Sequence, residues 1–384
     1  MISQNIKFSR LLSFFAVILA GASFPLALLI SRIGYQENLL EIVYFQSTVV
    51  FFTFVAQLGL RAGGRIHLHL GNLQTINYVT SFIARNCWKL GAVFSFIVVL
   101  FDIPFHPSFI LLQAFLSYLQ GLYVARKNNS MVIFNSFLIA SAVFIACSMV
   151  VFLNGRLSTQ VIEVLSILTL ICLSSLKDSR NKIAREFRLF LSLINRYKGL
   201  QYSSYIVYIS TYIFAQIFVF SGTANQEFIE IYADCALVAG IQLLVIGQMS
   251  VFIEGDIIRS RAYRKYIYGY LVWCLVSAGF FLLIYSKLTT VNFPLLIFVT
   301  YITILSRLVF SFCSQYVGPW ARNYIYKLGV FSVCSNIVVS FLIIFNYGSL
   351  GSNLVTLLIF SVSGLVLTVM LLVYEKFRKI DLFI

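Results

Sequence analysis

Charged residues are scarce in this sequence: they make up 11% of 384 residues, whereas 60% are hydrophobic and the mean hydropathy is +0.93. A soluble globular domain is roughly half apolar and carries about twice as much charge, so this composition excludes one. We therefore expect an all-α polytopic membrane protein. Spans of about 20 residues each would use almost the whole chain and leave little room for a soluble domain.

Sequence motifs for catalysis are absent. The seven cysteines form no CxxC pair, and the three histidines lack the spacing of zinc ligands. The nucleotide-binding sequence GxxxxGK followed by Ser or Thr does not occur. The predicted outer loops are short and no histidine lies in the middle of a predicted span, so the residues for chemistry on lipid-linked sugars are missing. We expect a carrier with no cofactor and no metal, and not an enzyme.

The apolar runs predict twelve membrane-spanning helices, and the longest polar interruption separates the first six from the last six. The predicted domains are an N-terminal six-helix bundle over residues 1–176, a cytoplasmic amphipathic linker over 177–200 and a C-terminal six-helix bundle over 201–384. Apolar linker residues such as Phe187 and Phe190 follow helical spacing, which would turn Arg185 and Arg188 towards lipid headgroups. The predicted spans lie near residues 11–30, 38–60, 78–101, 107–125, 131–153, 158–176, 201–222, 228–252, 266–286, 291–314, 326–346 and 353–374.

The basic residues predict the orientation. With twelve spans and a cytoplasmic N-terminus, 24 of the 28 Lys and Arg residues lie on the cytoplasmic side, as the positive-inside rule requires. Both termini are therefore predicted to be cytoplasmic. The net charge of +15 reflects this topology, and no nucleic-acid partner is expected because no exposed domain is available to bind one.

The second predicted span ends in LGLRAGGR, residues 58–65, whose two arginines share a face if the helix continues through the glycines. One interpretation is that these basic residues only fix the orientation. The other is a cytoplasmic vestibule in which guanidinium groups bind the oxygens of an anionic lipid pyrophosphate. Arg307 lies inside the tenth span, so it either reaches the headgroups or faces a hydrated cavity. The candidate pyrophosphate-binding residues are Arg61, Arg65, Arg85, Lys89 and Arg307.

The acidic residues near the predicted outer surface form a second set. Glu37 and Glu41 lie four apart at the start of the second span, and Glu230 and Asp234 occupy the matching place in the C-terminal half. One interpretation is a solvated rim; the other is a buried carboxylate that carries the proton or sodium ion driving transport. The candidate ion-coupling residues are Glu41, Glu163, Glu230 and Asp234.

Two segments resemble bacterial polysaccharide exporters of the Wzx type, the O-antigen flippases of the MOP exporter superfamily. ISRIGYQENLLEIVYFQSTVVFFTFVAQLGLRAGGR is similar to their start, where a short outer turn leads into a long second helix ending in Gly-Leu. FAQIFVFSGTANQEFIEIYADCALVAGIQLLVIGQMSVF is similar to their seventh and eighth helices. The resemblance implies two six-helix bundles around a central cavity, placed in a bacterial inner membrane.

The same resemblance implies a function. An undecaprenyl-pyrophosphate-linked oligosaccharide would be flipped from the cytoplasmic to the periplasmic leaflet by alternating access. Related lipid II flippases bind pyrophosphate with cavity arginines, and Arg61 is the residue nearest to such a place here. The implied partners are this lipid-linked substrate, a coupling proton or sodium ion, membrane lipids and other polysaccharide assembly proteins.

Two alternatives remain. A major facilitator also has twelve helices and a turn like GxxxDRxGR, which Gly59, Arg61, Gly64 and Arg65 match in part, although its aspartate is missing. An O-antigen polymerase is similar in length and setting, but it usually carries a large outer loop with arginines, which this sequence lacks.

Overall fold

The computed structural model describes residues 2–34, 39–69, 71–103, 105–153, 155–175 and 185–196, together with Val272 and Val276. The chain divides into two compact units, Met1–Gly199 and Leu200–Ile384, and every helix described below belongs to the first. The six spans predicted between residues 201 and 374 lie outside the described residues.

In its described residues the first unit consists of α-helices joined by short turns. Six of its helices contain 19 to 33 residues, whereas the third contains 10. An eighth helical segment lies inside the predicted linker. The helices are α1 (Ile2–Gly34), α2 (Leu39–Gln57), α3 (Leu60–His69), α4 (Leu73–Leu100), α5 (Pro107–Ala125), α6 (Asn129–Phe152), α7 (Gly155–Ser175) and α8 (185–196).

The long helices coincide with the first six predicted spans, and α4, α5, α6 and residues Arg156–Ser175 are each long and apolar enough to cross a membrane. The protein is therefore an integral membrane protein. Several boundaries differ from the prediction: α1 begins at Ile2 rather than near residue 11 and ends at Gly34 rather than near residue 30, α4 begins at Leu73 rather than near residue 78, and α2 ends at Gln57 rather than near residue 60. The separate helix α3 was not predicted at all.

Helix α5 lies at the centre of this unit and packs against α2, α3, α4, α6 and α7. It begins with Pro107, which suits the first position of a helix because the missing N–H has no intrahelical partner there. Two hydrogen bonds join it to α6: Asn135 Nδ2 donates to the Leu116 carbonyl oxygen over 2.8 Å, and Gln120 Nε2 donates to Ser136 Oγ over 3.0 Å. Interhelical bonds of this kind are typical of helix packing within membranes. The candidate residues Arg61 and Arg65 of α3 and Glu163 of α7 are positioned against this helix.

Helix α8 packs on the first half of α4. The Phe82 ring lies 5.6 Å from the Phe187 ring and 4.9 Å from the Phe190 ring, measured between centroids. The guanidinium carbon of Arg185, which is predicted to face lipid headgroups, lies 5.2 Å from the centroid of the Tyr78 ring, and the side chain remains exposed. One side of α8 is thus engaged with protein.

Candidate functional site

The chain breaks between α2 and α3 at Leu58 and Gly59. Both residues have positive φ, 48° and 80° respectively. Glycine adopts this left-handed backbone readily because it has no Cβ, whereas Leu58 is an uncommon occupant of it. The helix resumes at Leu60 and continues through both following glycines to His69. LGLRAGGR is therefore a helix break followed by a new helix, and the condition for Arg61 and Arg65 to share a face is met.

Two glycines bring α3 and α5 close together. A Cβ placed on Gly64 would lie 2.9 Å from Leu122 Cδ2 and 3.1 Å from Tyr118 Cε2. A Cβ placed on Gly121 would lie 3.2 Å from Arg61 Cγ and 3.6 Å from Arg65 Cδ. The aliphatic stems of both arginines therefore lie over Gly121.

The arginine stems end inside the bundle. Arg65 is only 5% exposed and Arg61 is partly buried. Beside them, the buried Tyr118 hydroxyl shares a hydrogen bond of 3.1 Å with Thr80 Oγ1. A buried guanidinium is costly unless its charge is compensated, and guanidinium groups bind phosphate oxygens well, so this arginine pair is a candidate anion-binding site.

Replacing Gly64 by alanine tests the contact between α3 and α5. The new methyl group would press on Leu122 and on the Tyr118 ring, and such overpacking typically destabilises a protein by about 1 to 3 kcal/mol. Thermal unfolding of the purified protein in detergent should show this loss for Gly64→Ala. Gly34→Ala is the matched control, because its Cβ would meet no atom within 4 Å. Equal unfolding of both variants and the wild type would contradict the close packing.

The other predicted basic residues lie elsewhere or outside the described residues. Arg85 donates to the carboxylate of Glu186 on α8, so that pair neutralises itself. Lys89 is exposed, with its Nζ 5.9 Å from the centroid of the Trp88 ring. Arg307 lies outside the described residues. The structure thus brings together Arg61 and Arg65 and places Arg85 in a separate contact.

Among the predicted acidic residues, Glu163 on α7 is buried, at 1% exposure. Its carboxylate accepts from the Ser108 amide over 2.9 Å and from the Phe109 amide over 3.4 Å, both in the first turn of α5. The Ser95 hydroxyl of α4 also donates to it. A carboxylate is favoured at a helix N-terminus, where amide groups have no intrahelical acceptor. Glu163 therefore caps α5 and joins three helices.

The remaining predicted acids are exposed or lie outside the described residues. Glu41 lies exposed in the first turn of α2. Glu230 and Asp234 lie outside the described residues, as does Glu37. Among the described residues, no group of three His, Cys, Asp or Glu side chains could hold a metal ion.

His106, which the sequence left without a role, immediately precedes α5 and is 7% exposed. Its ring makes an edge-to-face contact with Phe45, with centroids 5.0 Å apart. Burial lowers the pKa of His106 to about 4. The imidazole is therefore uncharged at neutral pH.

This burial predicts a pH dependence of stability. The unfolded chain takes up the proton near pH 6.5, but the folded protein takes it up only near pH 4. Stability contributed by neutral His106 is thus complete above pH 6.5 and is lost as the pH falls towards 4, by up to about 3 kcal/mol. Unfolding of the detergent-solubilised wild type and His106→Gln should be compared between pH 7 and pH 4. The wild type should lose more stability than the variant; identical losses would contradict the assignment.

Comparison with known proteins identifies the fold. No family model matches the sequence, and no curated protein matches it. A mutant of the Vibrio cholerae MATE transporter VcmN is 11% identical, with a TM-score of 0.62, covering 99% of this chain and 98% of that one. An outward-facing multidrug resistance MATE transporter of the MOP superfamily is also 11% identical, with a TM-score of 0.59 and coverages of 98% and 96%. An inward-facing one is 13% identical, with a TM-score of 0.58 and coverages of 96% and 95%. The chain has the fold of MATE transporters.

Proposed function

We propose that this protein is an alternating-access transporter of the bacterial inner membrane that flips an undecaprenyl-pyrophosphate-linked oligosaccharide to the periplasmic leaflet. The observation that carries this proposal is the placement of Arg61 and Arg65 together over Gly121, at the buried contact between α3 and α5. The MATE-like fold supports transport, and it favours the MOP superfamily over the major facilitator alternative.

The chemistry of the arginine pair favours an anionic headgroup. Guanidinium groups bind phosphate oxygens through two parallel N–H donors, and a pyrophosphate offers enough oxygens for two such forks. Packing of both stems on Gly121 limits their side-chain freedom, so less conformational entropy is lost when an anion binds. A neutral sugar without its pyrophosphate would gain none of these charged hydrogen bonds. Arg85, Lys89 and Arg307 remain proposed further contacts.

Glu163 is the described residue best placed for ion coupling. Taking up a proton would turn one carboxylate oxygen from an acceptor into a donor, and the Ser95 hydroxyl and the α5 amides would lose part of their acceptor. The start of α5 would then be held less firmly against α4 and α7. A proton on Glu163 would thereby bias the bundle between two packings, which is what coupling requires. Glu41, Glu230 and Asp234 remain proposed alternatives.

Deleting the gene in its bacterial host tests this function. Complete lipid-linked repeat units should accumulate in the cytoplasmic leaflet, while surface polysaccharide is lost, and a plasmid copy should restore export. Surface lipid capped with single repeat units would indicate the O-antigen polymerase instead, because flipping would then be intact. Unchanged polysaccharide with altered movement of a small solute would contradict the proposed substrate.

A second candidate is export of small molecules. The neighbouring structures include multidrug resistance transporters, which is the specific observation in its favour. The buried arginine pair argues for an anionic rather than a cationic solute in that case. Drug susceptibility of the deletion strain separates the two candidates: increased susceptibility with normal surface polysaccharide would support small-molecule export.

A further inference from the structure

The charges of α8 are divided between its two sides. Glu186 is the only acidic residue in 185–196, and it is 0% exposed and bonded to Arg85 of α4. The basic residues of the helix, Arg185, Arg188 and Arg196, are all exposed. The outward side of α8 therefore carries positive charge only.

Helix α8 also carries exposed apolar side chains. Phe187 is 46% exposed and Leu191 is 41% exposed. They are four residues apart, so they form one edge of the helix. Phe187 and Phe190 both contact the Phe82 ring, but Phe187 and Leu191 remain substantially exposed. An exposed apolar edge beside arginines is typical of helices that lie in the membrane interface.

The position of α8 matches that interface. It contacts α4 between Tyr78 and Arg85, in the polar part of that helix that precedes the uncharged stretch beginning at Leu90. Its other end lies near the end of α3, because the pKa of His67 is lowered by burial and then by the charge of Arg196. The helix thus extends from α4 towards α3.

We propose that α8 docks on the anionic phospholipids of the leaflet that surrounds it. Phe187 and Leu191 enter the boundary between headgroups and acyl chains, while Arg185 and Arg188 bind lipid phosphates. No described carboxylate pairs with either arginine, and both side chains are exposed, with Arg185 beside the Tyr78 ring. This surface is separate from the arginine pair on α3, and the inference goes beyond the proposed function because it requires no transported substrate.

The test is lipid binding to the purified full-length protein. Native mass spectrometry of the protein titrated with phosphatidylglycerol or phosphatidylcholine should show a preference for phosphatidylglycerol. Each arginine near an anionic surface contributes a factor of about five in affinity, so R185Q/R188Q should weaken phosphatidylglycerol binding roughly 20-fold and leave phosphatidylcholine unchanged. R185K/R188K keeps the charge and should keep the preference. F187S/L191S should weaken both lipids.

The matched control is R126Q/K127Q, which removes two exposed basic residues that are not on α8. It should retain the wild-type preference. An equal loss in the control would show general surface charge rather than a docking helix and would overturn the proposal. An unchanged preference in R185Q/R188Q would overturn it too, provided that its thermal unfolding matches the wild type. Displacement of phosphatidylglycerol by inorganic pyrophosphate would assign the arginines to a substrate headgroup and would likewise overturn it.

Discussion

Replacing both Arg61 and Arg65 by alanine should abolish export of the lipid-linked oligosaccharide while the protein is still made and inserted. Hydrogen bonds to charged groups contribute about 1.5 to 3 kcal/mol each, so loss of both guanidinium groups should reduce export by about 100-fold or more. Export is measured as surface polysaccharide and as the fraction of lipid-linked units on the periplasmic leaflet. Protein abundance and thermal unfolding are measured on the same strains.

Three further variants sharpen this test. Arg61→Lys and Arg65→Lys keep the charge but lose the planar fork, so each should retain export between the wild type and the alanine variant. Arg126→Ala is the control: this exposed arginine lies just after α5 and donates to Asn77 Oδ1 over 2.9 Å. It should export normally. Full export by the double alanine variant would refute the proposed pyrophosphate contact.

The sequence predicted the long helices well where polar residues flank an apolar run. Helix α5 occupies the predicted residues 107–125, because Pro107 precedes the run and Arg126 with Lys127 follows it. The break at Leu58 and Gly59 was missed since the residues remain apolar through Leu60. A glycine only permits a left-handed backbone and does not require one. Tertiary packing of α3 against α5 decides the turn.

The candidate site was predictable in part. The spacing of Arg61 and Arg65 was enough to place them on one face, because that depends only on helical periodicity. Their partner Gly121 was not predictable, since it depends on how α3 and α5 rotate against each other. The inward turn of Glu186 was missed for a similar reason: a charged residue in a polar segment is expected to face solvent, and only Arg85 on α4 explains its burial.

Glu163 shows the same limit of prediction from sequence. Its replacement should have the second of the two largest effects. The sequence places this carboxylate in the sixth predicted span. Its role as the cap of α5 could not be predicted, because it depends on how three helices approach one another. Glu163→Ala should leave the amides of Ser108 and Phe109 and the Ser95 hydroxyl without this acceptor. Each buried polar group left unsatisfied costs about 1 to 3 kcal/mol, so for three groups the loss of stability should be about 3 to 9 kcal/mol. Thermal unfolding in detergent measures it.

Glu163→Gln separates the cap from the proposed coupling. The amide oxygen still accepts hydrogen bonds, so stability should be lost only in part, but the side chain can no longer release or bind a proton. If Glu163 carries the coupling proton, export by this variant should become insensitive to collapse of the proton gradient, whereas Glu41→Gln, at an exposed position, should keep the wild-type sensitivity. A Glu163→Gln variant that is less stable yet still fully sensitive to the gradient would show that the carboxylate only holds α5. A coupling role predicts that Glu163→Gln is insensitive to the gradient, whereas a purely structural role predicts that it stays sensitive. Since both roles predict a loss of stability, the gradient measurement decides between them.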